Sequence, residues 1–170
     1  MNDIVARLEH DREQGQILDG SRRYLLMRPD VLMGMLRDLD ATTRAQALKS
    51  FTRSAYEHGG RSIHAYAKDA SGPNLLDVVC ATSAGLGWGK WAIEVERDRL
   101  RLTVHNSPFA WGHGASSCPV CAPIVGILQS VATEFLGDTV VAEELACGAM
   151  SKGPICKFVA YRQAGSRKGT

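Results

Sequence analysis

The 170-residue sequence lacks the features that mark membrane-spanning, secreted and nucleic-acid-binding proteins. No apolar run approaches the roughly 20 residues of a membrane-spanning helix. The polar start MNDIVARLEHDREQGQ has no apolar centre of the kind found in a signal peptide. The net charge is only +2 and both signs are mixed along the chain, so charge gives no reason to expect nucleic acid or an anionic membrane. We therefore expect a cytoplasmic protein with no membrane span and no nucleic-acid partner.

Motifs of redox enzymes are also missing. The sequence has no GxGxxG dinucleotide fingerprint and no βαβ pattern, and GLGWG at residues 85–89 is too irregular to count as one. The cysteines do not have the spacing of an iron–sulfur cluster. Since the chain encodes no source of electrons, we favour a function other than catalysis.

The patterns that are present predict one α+β domain with an antiparallel sheet and flanking helices. No repeat, linker or low-complexity block interrupts residues 1–170, and 45% of them are hydrophobic. We expect a helical hairpin region at 1–60, and the sheet, a long helix and a metal site at 61–170. The predicted helices are 29–39, 41–59 with Asp40 as N-cap, one within 71–87 that begins at a Ser/Gly cap, and 119–136. The predicted strands are 24–27, 91–95, 100–104, 138–147 and 156–162.

Three of the five cysteines can converge in this arrangement. Cys147 and Cys156 flank a glycine-containing turn between two predicted strands, and Cys121 stands at the start of a helix that must pack on the same sheet. Glu144, three residues before Cys147, offers a fourth ligand. Three thiolates and a carboxylate suit tetrahedral zinc, and four protein ligands leave no position for a reactive water. We therefore expect a structural zinc ion.

Other ligand sets remain open at this stage. Cys118 can replace Cys121, or can replace Glu144 to give a site of four cysteines. Glu143 has better strand parity with Cys147 than Glu144 has, unless the strand is broken before Cys147. The simplest alternative is that the cysteines are small buried hydrophobic residues without a metal.

The C-terminal segment NSPFAWGHGASSCPVCAPIVGILQSVATEFLGDTVVAEELACGAMSKGPICKFVAYR resembles the 4-vinyl reductase domain family. That family has a cysteine before a helix, then a glutamate, two residues, a cysteine, a glycine-containing turn and a last cysteine before an aromatic strand. Cys121, Glu144, Cys147 and Cys156 match this signature. The resemblance implies zinc on these four residues. It also implies a homodimer, and a fold like that of the ligand-binding superfamily of heme-nitric-oxide proteins and Golgi-trafficking subunits.

The front half of the chain is similar to the sensor domains of phenol- and toluene-responsive transcription activators. The similar segments are GQILDGSRRYLLMRPDVLMGMLRDL and TRAQALKSFTRSAYEHGG. Those sensors hold a phenolic oxygen with a histidine and a tryptophan. Leu76 stands where the histidine is expected, and His105 lies near the place of the tryptophan. We expect no ATPase or DNA-binding domain after residue 170. The resemblance is therefore closer to stand-alone members, such as a protein of bacteriochlorophyll biosynthesis, and implies a separate effector protein.

Aromatic residues near the predicted strand pair suggest where a small molecule binds. We expect a hydrophobic or aromatic ligand, or one like a tetrapyrrole, between this strand pair and the helices from Asn74 and Pro119. We expect the ligand to lie next to the zinc without touching it. The candidate ligand-binding residues are Leu76, Trp88, Trp91, His105, Phe109 and Trp111.

The sequence thus predicts a sensor, carrier or accessory factor that is stabilised by zinc. It is expected to form a homodimer through its N-terminal half, where apolar positions are more numerous than one sheet face needs. One alternative is a reductase, or a subunit of one, in tetrapyrrole metabolism. The other alternative is a protein-interaction scaffold.

Overall fold

The computed structural model describes residues 4–69, 73–137 and 139–163, which form short and long helices around two antiparallel sheets. The helices are α1 Ile4–Arg7, α2 Pro29–Arg37, α3 Ala41–Ser54, a π-helical turn Ala55–Gly59, α4 Gly60–Asp69, α5 Pro73–Gly85, α6 Pro108–His113, α7 Ala122–Leu136 and α8 Gly148–Ser151. The strands are β1 Glu9–Asp11, β2 Gln16–Asp19, β3 Arg22–Tyr24, β4 Lys90–Val95, β5 Arg99–His105, β6 Val140–Ala146 and β7 Ile155–Arg162. The predicted α+β class is confirmed. No helix among the described residues has both the length and the apolarity to cross a membrane.

The larger sheet has the strand order β4-β5-β7-β6, with every neighbouring pair antiparallel. Its inner face is the one that the alternating residues of β5 predicted, since Leu100, Leu102 and Val104 are fully buried. Helix α7 packs against strands β5, β6 and β7 and, on its opposite side, against α3 and the π-helical turn. Because it has neighbours on two sides, α7 is apolar around most of its circumference.

The N-terminal half begins with a small sheet of order β1-β2-β3. The predicted strand 24–27 is wrong over most of its length, because β3 ends at Tyr24 where its pairing with β2 ends. Leu25 and Leu26 follow it with exposed fractions of 76% and 87%. Pro29 starts α2, as predicted.

Helix α3 begins as the sequence predicts. The side chain of Asp40 accepts hydrogen bonds from the backbone N–H groups of Thr42 and Thr43, at 3.0 and 3.1 Å. Hydrogen bonding by Thr43 lowers the pKa of this carboxyl below its usual value. Such a cap satisfies N–H groups that have no partner within the helix.

The predicted end of this helix at residues 59 and 60 is wrong. The chain continues through the π-helical turn into α4, and its glycines allow close packing instead of ending the helix. A Cβ on Gly59 would collide with the side chain of Ile127, and one on Gly60 would lie 2.8 Å from the Ser130 hydroxyl. A Cβ on Gly126 of α7 would collide with the carbonyl oxygen of Thr52. Because these glycines lack a Cβ, α7 packs closely on α3, on the π-helical turn and on the start of α4.

Two loops that were not predicted as helical contain short helices. In α6 the hydroxyl of Ser107 caps the N–H of Ala110, and Pro108 occupies the first turn. Helix α8 fills the turn between β6 and β7. The long helix predicted from residue 119 starts at Ala122 instead, and Cys121 occupies its N-cap position.

Candidate functional site

Three cysteine thiols and one carboxylate meet where the start of α7 approaches β6 and β7. The Cys121 sulfur lies 3.9 Å from that of Cys147 and 3.6 Å from that of Cys156. With a carboxylate oxygen of Glu144, the four candidate ligand atoms lie within 4.8 Å of one another. All three cysteines are free and buried. Their separations far exceed a disulfide bond of about 2.05 Å.

A β-bulge places Glu144 in this cluster. Glu144 pairs with Phe158 and Ala146 pairs with Lys157, so the ladder shifts by one residue between them. An extra residue of this kind turns the following side chains to the other face. This is the break in the strand that a ligand at position 144 requires. Glu143 stays exposed and outside the cluster.

Each cysteine takes its position from a different element. Cys121 is the residue before α7, Cys147 is the residue before α8, and Cys156 lies in β7 opposite Val104 of β5. Cys118 is exposed and lies outside the cluster. The ligand set that the structure assembles is therefore the one with Cys121 and Glu144.

Surrounding groups hold the cluster in place. The N–H of Cys121 donates to Glu144 Oε2 at 2.9 Å, and the N–H of Gly148 donates to the Cys156 sulfur at 3.2 Å. The Ser107 hydroxyl lies 3.2 Å from the Cys121 sulfur. Because Ser107 also caps α6, the cluster is connected to that helix.

The electrostatics of the cluster are unfavourable without a cation. Hydrogen bonding of the Cys121 thiol to Cys147 and Cys156, together with burial, raises the pKa of Cys121. Burial and the adjacent Cys147 raise the pKa of Glu144 to about 8. In contrast, hydrogen bonds from Cys121 and Cys147 lower the pKa of Cys156 to about 4. Thiolates and a carboxylate gathered away from water repel one another, and a bound cation removes that cost.

The geometry fits a tetrahedral metal ion. Sulfurs bound at about 2.3 Å to a tetrahedral zinc are about 3.8 Å apart, and the two sulfur separations from Cys121 lie on either side of that value. Glu144 Oε1 is buried without a hydrogen-bonding partner among the described residues. A buried carboxylate oxygen with no donor is one that a cation satisfies. The cluster can therefore hold a metal ion.

The predicted ligand-binding residues do not surround one cavity. Leu76 and Trp91 are buried in the core, and the Trp91 indole N–H donates to the Trp88 carbonyl at 3.1 Å. His105 is exposed at the end of β5, and Trp111 on α6 is 71% exposed. These four side chains pack in the core or face solvent.

Trp88 and Phe109 belong to a separate aromatic group. The ring of Phe109 packs edge to face on Trp88, with ring centres 5.2 Å apart, and on Phe51 at 6.1 Å. Trp88 and Phe51 line a cavity of about 320 Å³. Phe109 thus packs against two aromatic residues of the cavity wall.

This helix cavity lies among helices, and two of them, α5 and α7, are the helices next to which the sequence predicts a ligand. Its walls come from α3, the π-helical turn, α4, α5 with the loop that follows it, and α7, with Tyr24 at the end of β3. The residues around it are Tyr24, Phe51, Ser54, Ala55, His58, Gly59, Ser62, Ile63, Val79, Thr82, Ser83, Leu86, Trp88 and Ile127. Most of these were missed because an apolar stripe looks the same whether it faces a core or a cavity. The one sequence signal was the series of polar residues Ser54, His58 and Ser62 at helical spacing.

A second groove, of about 600 Å³, runs beside the cysteine cluster. Trp111, Pro29 and Lys152 line it, together with residues of the turns that precede α7 and β7. Its floor includes Ser107 and Gly148, which contact the cysteine sulfurs from the other side.

The fold and the cluster together define a sheet-and-helix domain with a Cys/Glu site at the start of its long helix. Residues 100–162, which contain all four cluster residues, match the family model of the 4-vinyl reductase domain. The resemblance to that family is thereby confirmed over this part of the chain, which is less than half of its length. No curated protein matches the sequence significantly.

Solved structures with a similar fold span most of the chain. The phenol-responsive sensory domain of the transcription activator PoxR, in complex with phenol, has a TM-score of 0.78 at 18% identity and covers 94% of this chain and 86% of its own. Subunit 3 of a trafficking protein particle complex from Naegleria fowleri, covalently bound to palmitic acid, has a TM-score of 0.51 at 10% identity. The match covers 82% of this chain and 98% of that one.

A vinyl-4-reductase family protein from Methanocaldococcus jannaschii is also similar. It has a TM-score of 0.49 at 16% identity, and the match covers 82% of this chain and 98% of that one. At such identities, the similarity to the sensory domain and the trafficking subunit shows a shared fold. It assigns no ligand to this chain.

Proposed function

We propose that this protein is a small-molecule-binding domain that acts as a sensor, carrier or accessory factor and is stabilised by zinc. The observation that carries the proposal is the helix cavity, which has an aromatic wall and a volume within the range of small-molecule sites. Of the sensory domain and the trafficking subunit, the one with the higher TM-score is the sensory domain, whose structure contains phenol. That likeness supports a sensor over an enzyme.

Zinc is the metal that suits the cluster best. Three thiolates are soft ligands that select zinc over magnesium or calcium, and a carboxylate oxygen completes four-coordination. The ligands would be Cys121, Glu144, Cys147 and Cys156. Since they would leave no open position, the ion would join α7 to β6 and β7 without taking part in chemistry.

The metal would also fix one wall of the helix cavity. Helix α7 starts directly after Cys121 and carries Ile127, which lines the cavity less than two turns later. Ser107, which contacts the Cys121 sulfur, caps the helix that carries Phe109 behind the aromatic wall. Binding in the cavity and at the metal would therefore be coupled through α6 and α7.

The character of the cavity favours an aromatic ligand over a tetrapyrrole. Its volume of about 320 Å³ is at the low end of the range for small-molecule sites. No lysine or arginine lines it, whereas the carboxylates of a tetrapyrrole would need such partners. We accordingly propose a flat apolar molecule of one or two rings.

A second candidate function, protein interaction, is favoured by one surface. Leu25, Leu26, Val31, Met35 and Trp111 are all more than half exposed, and α2 packs directly on α6. Exposed apolar residues in such number are typical of a contact between proteins. We propose that this surface, named here the α2 surface, forms the homodimer through the N-terminal half. A separate effector protein in the cytoplasm would then distinguish the ligand-bound domain from the ligand-free domain.

Filling the helix cavity tests the proposed ligand site. Ser62→Trp places a large ring in the cavity, while Ser50→Trp places the same ring on an exposed position of α3 outside it. Thermal shift with 2-naphthol should show stabilisation of the wild type and of Ser50→Trp, and none of Ser62→Trp. Unchanged metal content and circular dichroism would show that Ser62→Trp is folded. Equal stabilisation of a folded Ser62→Trp would contradict the proposed site.

A further inference from the structure

Among the residues that line the helix cavity, the buried ones are apolar except for one serine, while Tyr24, Ser62 and Thr82 are half-buried. Ile63 and Val79 are almost fully buried there, and Ser83 is 8% exposed. Phe51, Trp88 and Ile127 are half-buried and form the sides. Ser54 and His58 are exposed, which places them at the mouth. The cavity therefore changes from polar at its opening to apolar inside, with Ser83 as the polar group in its depth.

No lysine, arginine, aspartate or glutamate is among the residues that line the cavity. An ionised ligand group at the inner end would lose its water and gain no opposite charge. Because the burial of an unpaired charge is very unfavourable, anions and cations are excluded from the depth of the cavity. A carboxylate or a phosphate could reach only the mouth.

None of the side-chain hydrogen bonds among the described residues involves the Ser83 hydroxyl, and Ser83 borders the cavity. Its backbone carbonyl is already used, because it accepts the N–H of Trp88 at 2.8 Å. That bond keeps the serine beside the aromatic wall. A buried hydroxyl can both donate and accept, and buried polar groups are nearly always hydrogen-bonded. The Ser83 hydroxyl is therefore available to a group that enters the cavity.

We infer that the helix cavity takes an uncharged apolar molecule that carries one hydroxyl or carbonyl oxygen, and that the Ser83 hydroxyl binds this oxygen. The inference rests on the proposed function, since it takes the helix cavity as the ligand site. It assigns the polar contact to α5 at position 83. The positions expected from the sequence, Leu76 and His105, lie in the core and on the surface.

Three probes of one size separate the elements of this inference. 2-Naphthol is neutral and has a hydroxyl, naphthalene is neutral without a polar group, and 2-naphthoate is an anion. Binding to the full chain with its metal is measured by isothermal titration calorimetry at about pH 8, where a carboxylic acid is ionised and a phenolic hydroxyl is neutral. We expect 2-naphthol to bind the wild type at least tenfold more tightly than 2-naphthoate.

The matched variants are Ser83→Ala and Ser50→Ala, both replacements of a helical serine by alanine. Ser83→Ala should weaken 2-naphthol about 3- to 10-fold, which corresponds to the loss of one hydrogen bond. It should leave naphthalene unchanged. Ser50→Ala, on the exposed side of α3, should change neither probe.

Two results would overturn this inference alone. The first is tight binding of 2-naphthoate to the wild type. The second is equal affinity of Ser83→Ala and the wild type for 2-naphthol. Both results count only if Ser62→Trp abolishes the binding, which shows that the probe occupies the helix cavity. The proposed function would then stand with a different polar contact. If no probe binds, or if a folded Ser62→Trp binds 2-naphthol as the wild type does, the proposed ligand site fails and the inference fails with it.

Discussion

The backbone N–H of Cys121 donates a 2.9 Å hydrogen bond to one carboxylate oxygen of Glu144, while the other oxygen of Glu144 is buried without a partner among the described residues. The first contact fixes the start of α7 to β6. The second leaves a ligand atom near three cysteine sulfurs. Contacts between α7 and β6 thus help to position the candidate metal ligands.

The first prediction concerns metal content. The purified wild type should contain about one zinc per chain, because three thiolates and a carboxylate form a closed site. Cys147→Ser should lose most of it, whereas Cys80→Ser, a cysteine outside the cluster, should keep it. Plasma mass spectrometry measures both. A metal-free wild type, or a Cys147→Ser variant with full zinc content, would show that the assignment is wrong.

The second prediction separates the two neighbouring glutamates. Glu144→Gln keeps the shape of the side chain and its acceptor for the Cys121 N–H, and removes the negative charge. We expect zinc affinity to fall at least tenfold in competition with a chromophoric chelator, since an anionic ligand is lost. Glu143→Gln changes an exposed residue outside the cluster and should leave the affinity unaltered. The reverse order of the two variants would make Glu143 the ligand.

The third prediction concerns the close packing of α3 on α7. Gly126→Ala adds a Cβ that collides with the Thr52 carbonyl, so one backbone must move. We expect a loss of about 1–3 kcal/mol in the free energy of unfolding, as for other overpacked interiors. Gly34→Ala is the control, because its Cβ meets only the Arg37 side chain at 3.7 Å. It should stabilise α2 by about 0.5–1 kcal/mol. Urea denaturation compares them, and equal stabilities would contradict the close approach.

The parts of this structure that local patterns determine could be predicted from the sequence. Alternating residues such as Leu100, Leu102 and Val104 identified the inner face of β5, and Asp40 identified the start of α3. The cysteine spacing identified the cluster because the ligands lie at the ends of predictable elements. The choice between Glu143 and Glu144 depended on a bulge, which sequence alternation does not reveal.

Features that depend on distant partners could not be predicted. Gly59 and Gly60 have the pattern of a helix end, yet the helical path continues through them, and their missing side chains leave room for Ile127 and Ser130 of α7. The helix cavity was missed for a related reason. Its wall combines residues from segments far apart in sequence, such as Ile63, Val79 and Ile127, and each of them fits an ordinary core position.

The fourth prediction concerns assembly through the α2 surface. The wild type should sediment at micromolar concentration with about twice the chain mass of 18.4 kDa. Leu26→Asp should give the monomer, because a charge at this 87% exposed position would be buried in a dimer. Val95→Asp introduces the same charge at an exposed residue of β4, outside the α2 surface, and should leave the dimer intact. A wild type that sediments as a monomer would refute the proposed dimer.

The most direct test of the central claim is an amide and indole NMR titration of the zinc-loaded chain with 2-naphthol. If the helix cavity is the ligand site, the largest shifts should fall on Ile63, Val79, Ser83 and the Trp88 indole, with His105 and Trp111 little affected. Saturable shifts confined to this set would establish where the domain binds small molecules. Shifts centred on His105 and Trp111, or no saturable shifts at all, would contradict the account.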